Sequence, residues 1–162
     1  MLTEFSDMPK ESKVWIFQAT ANLSKQQVST LQSQLATFLE TWEAHGKALR
    51  TACKISSNRF IIIAADESYH LASGCSIDKL IHFIKQLENQ LAINLLDRSH
   101  IAIQNDDQLE TYPLNSLSAV IKEGKVKQQS ILFNNAIENI KDLETRWKQP
   151  IGASWASKYF NK

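Results

Sequence analysis

One run of six apolar residues, Phe60-Ile61-Ile62-Ile63-Ala64-Ala65, limits the folds open to this chain. A strand with one wet face alternates polar and apolar side chains, so an unbroken apolar strand is one covered on both faces. The run is therefore expected at the centre of a sheet. A shorter run, Val14-Trp15-Ile16-Phe17, is β-branched and aromatic and reads as a second buried strand. Between them Ser24-Lys25-Gln26-Gln27 is a capping box, a serine cap with a glutamine three residues later. Val28, Leu31, Leu35, Phe38, Leu39 and Trp42 follow at helical spacing. Gly46 is expected to end that helix in a left-handed backbone. Leu49, Thr51, Cys53 and Ile55 then alternate with Arg50, Ala52 and Lys54, which predicts a half-exposed strand. Ser56-Ser57-Asn58 predicts a tight turn into Phe60.

Beyond the apolar run, Ile77, Leu80, Ile81, Ile84, Leu87 and Leu91 define a second amphipathic helix. His100-Ile101-Ala102-Ile103 predicts a fourth strand, Asn105-Asp106-Asp107 a turn, and residues 109–114 a returning fifth strand. The order β-α-β-β-α-β is that of a ferredoxin-like split βαβ sandwich, an α+β fold in which the first and third strands are central. The two most continuously apolar strands fall on those two positions. The chain is thus expected to be a single domain over residues 1–162, with a ferredoxin-like core at 12–113 and a C-terminal helical extension at 114–162. Leu117, Val120 and Ile121, then Ile137, Ile140, Leu143 and Trp147, supply the helical pieces of that extension. The aromatic tail carrying Trp155, Tyr159 and Phe160 is expected to pack on the body; packing on a second copy is the other reading and leaves a homodimer open.

Charge and hydropathy exclude several classes. With 18 basic and 17 acidic residues the net charge is +1, which offers no electrostatic pull toward nucleic acid. The basic, glycine and aromatic signature of RNA-recognition strands is missing from residues 59–65. No apolar run approaches the roughly 18 residues of a membrane span, and the N-terminus has neither a basic nor an apolar signal region. Two cysteines, Cys53 and Cys75, read as free thiols. A cytoplasmic location with no membrane partner is the expectation.

The stretch Ser73-Gly74-Cys75-Ser76-Ile77-Asp78 concentrates small polar residues and a thiol at a helix start, a common place for a site. In the expected topology the loop after the first helix and the loop after the third strand emerge at one end of the sheet. Trp42, His45 and Gly46 would then stand near Asp66, Glu67, His70, Ser73, Cys75 and Ser76, with Asp78 just beyond in the first helical turn. Cys75 at a helix N-terminus, with His45 or His70 as base, is the minimal nucleophile pair, because a helix dipole favours a thiolate. Trp42, Asp66, Ser73, Gly74, Ser76 and Asp78 are candidate ligand-binding residues. A metal held by Cys75, His70, His45 and Asp66 is the weaker reading, since the spacing fits no zinc pattern. A purely structural account also exists: Ser76 caps the helix, Asp78 complements its dipole in the first turn, and Gly74 permits the turn. The cofactor is left open by the sequence. The chain reads as a binding module for a small ligand or protein partner, with a cysteine-dependent enzyme or redox protein as the alternative.

Trp42-Glu43-Ala44-His45-Gly46, Arg59-Phe60-Ile61-Ile62, Asp66-Glu67, Ser73-Gly74-Cys75-Ser76-Ile77-Asp78, Leu96-Asp97-Arg98 and Phe133-Asn134-Asn135 together carry a resemblance. The chain resembles, over nearly its whole length, small uncharacterised proteins of the Bacteroidetes that are often labelled "ABC transporter ATPase". That resemblance implies a bacterial cytoplasmic protein of unknown role and transfers no catalytic residues. The ATPase label does not fit. A phosphate-binding loop needs a glycine, four residues, then Gly-Lys-Ser/Thr. At Gly46-Lys47 the first glycine is replaced by Thr41 and the hydroxyl residue by Ala48; at Gly124-Lys125 the replacements are Ala119 and Val126.

Overall fold

The structure, a computed structural model, describes residues 1–161. The chain forms two compact units, Met1–Leu96 with Glu138–Lys141, and Asp97–Ile137 with Asp142 onward. The first holds β1 (Lys13–Gln18), α1 (Lys25–Thr41), β2 (Glu43–Ala44), β3 (Lys47–Ala48), β4 (Arg50–Ser56), β5 (Phe60–Asp66) and α2 (Gly74–Leu91). Its main sheet has the order β1-β5-β4, and β5 is antiparallel to both neighbours. Strands β1 and β4 therefore run the same way, joined through α1, with β5 inserted between them. Every residue of β5 is buried. On one face Ile61, Ile63 and Ala65 share a core with Phe17 of β1, Leu31, Leu35 and Leu39 of α1, and Leu80, Ile84 and Leu87 of α2. On the other, Phe60, Ile62 and Ala64 are fully buried. Each such isoleucine contributes about 1.5–3 kcal/mol by leaving water.

The capping box at the start of α1 forms as the sequence predicts. The Ser24 hydroxyl accepts from the Gln27 N–H at 3.1 Å while the Gln27 amide oxygen accepts from the Ser24 N–H at 2.8 Å. The end of α1 differs from expectation. The helix stops at Thr41, and its C-cap is Trp42 in extended conformation. Gly46 instead pairs with His45 in the two-residue turn that joins β2 to β3, with φ of +74° and +53°. Two successive positive φ values are what a tight antiparallel hairpin demands.

The second unit holds β6 (His100–Asn105), β7 (Gln108–Pro113), α3 (Leu117–Lys122), β8 (Ile131–Phe133) and β9 (Lys148–Pro150). Its sheet is antiparallel with the order β7-β6-β8-β9. Ile101, Ile103 and Leu132 form its core with Leu117, Val120, Val126, Ile151 and Ala156. The tail is a 3-10 helix, Trp155–Asn161, whose Tyr159 and Phe160 pack on this same core.

The strands thus follow the order expected of a ferredoxin-like sandwich, but their pairing does not. In that topology the fourth strand lies beside the first. Here β6 pairs with β7 and β8 in a separate sheet. The reason is local: β7 follows after only Asp106 and Asp107, so the hairpin closes a very short loop at little entropic cost. The position beside β1 is taken by Glu138–Lys141, where the Val14 N–H donates to the Glu138 carbonyl at 2.9 Å and the Ile140 N–H to the Ser12 carbonyl at 3.2 Å. Nor is the chain beyond residue 114 purely helical. It contains β8 and β9 as well as α3 and α4 (Ile140–Thr145).

Candidate functional site

The loop from β5 to α2, residues 67–73, carries most of the candidate residues, and its backbone is held at several points. Asp66 ends β5, buried, and its carboxylate accepts from the Ser68 N–H at 3.0 Å, the Ser68 hydroxyl at 2.5 Å and the Arg50 guanidinium at 3.2 Å. Burial raises the pKa of this carboxyl, but the Ser68 bonds and Arg50 outweigh it, and the net displacement is downward. The Glu67 carboxylate accepts from the Ala72 N–H at 2.8 Å, closing the loop on itself. The Ser73 hydroxyl then caps α2 by accepting from the Ser76 N–H at 3.1 Å, and the Ser76 hydroxyl returns a bond to the Ser73 carbonyl at 2.8 Å. Ser73, not Ser76, is the helix cap.

Trp42 reaches this helix start from the other loop. It is buried, and its indole N–H donates to the Ser76 carbonyl at 2.8 Å while its ring meets Trp15 edge-on at 5.5 Å. The two loops therefore meet at Trp42 and Ser76. Both residues are inside, so their role is to fasten the loop rather than to touch a ligand.

The remaining candidates do not assemble a reactive set. His45 is exposed on its hairpin turn, His70 is half-buried in the loop, and Cys75 is an exposed free thiol at the second position of α2. Among the described residues, no hydrogen bond links Cys75 to either imidazole, and no group of three or more His, Cys, Asp or Glu side chains is arranged to hold a metal. The nucleophile–base contact that a thiol mechanism needs is missing. Gly74 is the first residue of α2 and its φ is not positive, so no left-handed turn depends on it, and a Cβ there would meet nothing within 4 Å. Asp78 lies at the fifth position of α2, past the first turn.

Residues 67–73 also show what periodicity could not reveal. Among the described residues the large apolar side chains open to water are Met1, Tyr69, Leu71 and Trp155, with Tyr69 at 81% and Leu71 at 69% exposed. Two of the four stand two residues apart on this one loop. The available signal was an aromatic and an aliphatic residue, in Tyr69-His70-Leu71, that fit neither the strand before nor the helix after.

A serine, a histidine and an aspartate also meet in the second unit. Ser99 donates to Asp97 at 2.5 Å, and both the Ser99 hydroxyl and the Asp97 carboxylate lie on the same ring nitrogen of His100, Nδ1, at 3.2 and 3.1 Å. The Ser99 hydroxyl and backbone N–H pull the Asp97 carboxyl below its usual pKa. A hydrolytic triad needs the serine on Nε2 and the aspartate on Nδ1. This cluster is a turn stabilised by its side chains.

Compared with known family models, curated proteins and solved structures, the chain matches none. Among the described residues no helix is long and apolar enough to cross a membrane.

Proposed function

We propose that this chain is a cytoplasmic protein-binding module of the bacterial family it resembles, presenting the 67–73 loop to an apolar pocket on a partner protein. The observation that carries this reading is the exposure of Tyr69 and Leu71 on a loop whose backbone is tied by Asp66, Glu67 and Ser73. Displaying two large apolar side chains to water gains nothing for folding. Fixing them on a hydrogen-bonded loop lowers the entropy lost when a partner covers them. Tyrosine is among the residues that dominate protein interfaces. The same features favour a protein partner over a small ligand, because Trp42 and Ser76 are buried while the large side chains that the loop exposes, Tyr69 and Leu71, are apolar or aromatic.

A photo-crosslinking amino acid at position 71, in cells of the source organism, tests this. One dominant adduct is expected. The captured protein, purified, should bind the wild-type chain at least about thirtyfold more tightly than a Tyr69→Ser/Leu71→Ser variant, the scale of about 2 kcal/mol for an interface hot spot. Equal affinity for wild type and variant would overturn the reading.

A further inference from the structure

The second unit carries a cleft of about 1010 Å³ whose lining includes no residue of the 67–73 loop. We propose that it is a binding site for a neutral, hydroxyl-rich ligand, of the class of an oligosaccharide longer than one sugar unit. One wall is the edge strand β7, where Gln108, Glu110 and Tyr112 alternate and so stand on the same face. The lining also draws on the segment at residues 124–130, through Gly124, Lys125, Lys127, Gln129 and Ser130, and this segment is tethered rather than loose. The Asn105 amide donates to the Lys125 carbonyl at 2.9 Å, the Ser130 hydroxyl donates to the Asn105 side-chain oxygen, and the Lys127 N–H donates to the Ser130 hydroxyl at 2.9 Å. Val126 is buried between Lys125 and Lys127, which anchors the segment and turns both lysines outward.

The charge of the lining decides the ligand class. Three lysines, Lys125, Lys127 and Lys148, and two carboxylates, Asp106 and Glu110, belong to the lining, with the Lys148 ammonium lying over the Phe133 and Trp147 rings at 5.5 and 5.6 Å. Lys125 is already paired with Glu123 at 2.9 Å, leaving two charges of each sign. An anionic ligand would meet as much repulsion as attraction, and an apolar one would leave the amides and charges without partners. Hydroxyl groups both donate and accept, which suits the mixed set of amides, carboxylates and ammonium groups, and the half-buried Tyr112, whose ring packs in part on the core of the unit, adds an apolar surface for a sugar face. A cleft of this volume lies at the upper end for small-molecule sites.

The test uses the full chain and isothermal titration with maltotriose, cellotriose and chitotriose, set beside inorganic phosphate and ATP. Saturable binding of at least one of the three sugars is expected. A Gln108→Ala/Glu110→Ala variant should weaken it at least about tenfold, the cost of about 1.4 kcal/mol in hydrogen bonds. Both positions are exposed or on an edge strand, and an unchanged thermal melt would show that the variant folds. Tyr69→Ser/Leu71→Ser should leave sugar binding unchanged, which keeps this site distinct from the loop of the first unit. Binding of phosphate or ATP without any sugar would overturn the proposal, as would no binding at all or a sugar affinity indifferent to Gln108 and Glu110.

Discussion

The two thiols illustrate how far residue chemistry depends on surroundings. Cys53 faces the core of the first unit from β4, and burial pushes its thiol pKa up, so less of it is thiolate at neutral pH. Cys75 is exposed at the start of α2. Iodoacetamide at pH 7.5 is therefore expected to label Cys75 at least about tenfold faster than Cys53, as read by peptide mass spectrometry. Equal rates would mean that β4 opens readily. Asp66 carries a pH signature. Its folded pKa lies below the unfolded value of about 3.9, so its contribution is complete above that value and is lost as pH falls through the folded pKa. Asp66→Asn is expected to cost about 1–2 kcal/mol at pH 7. The gap to wild type should close below about pH 4, measured by urea midpoints from pH 6 to 2.5. A gap constant with pH would place the effect in packing rather than in charge.

Helix ends and turns separate glycines that the backbone requires from those it does not. Gly46 has φ of +74° in the β2–β3 turn, whereas Gly74 begins α2 with open space around its Cα. Gly46→Ala is expected to cost about 1 kcal/mol. Gly74→Ala should be neutral or slightly stabilising, by up to about 0.5 kcal/mol, because alanine narrows the unfolded ensemble. Thermal melts of the two variants check the contrast, and a reversed order would show that the hairpin turn is not as described. Ser24→Ala should cost about 1 kcal/mol through loss of the capping box at α1.

At the scale of the molecule, the first unit is not contiguous in sequence. Residues 138–141 return to cover the outer edge of β1. A fragment of residues 1–96 would leave that edge unpaired, with free N–H and C=O groups that template association. Such a fragment is expected to unfold at lower urea than the whole chain and to self-associate on size-exclusion chromatography. A monomeric fragment of undiminished stability would show that the returning segment is dispensable. What the sequence determined alone was whatever depends on near neighbours: the central strand at 60–65, both long helices, the Ser24 cap and the hairpin turn at Asp106-Asp107. Periodicity and capping are set within one or two turns of chain, so they survive any tertiary arrangement. The partner of β6 was decided by competition between a short hairpin loop and a distant edge beside β1, which no local pattern records. The site followed the same division. The segment around residues 66–76 was legible from its composition, but burial of Trp42 and Ser76, the missing contact between Cys75 and an imidazole, and exposure of Tyr69 and Leu71 all depend on where the loop is tied. The ties of Asp66 to Arg50 and of Trp42 to Ser76 join groups that only the folded chain brings within hydrogen-bond distance.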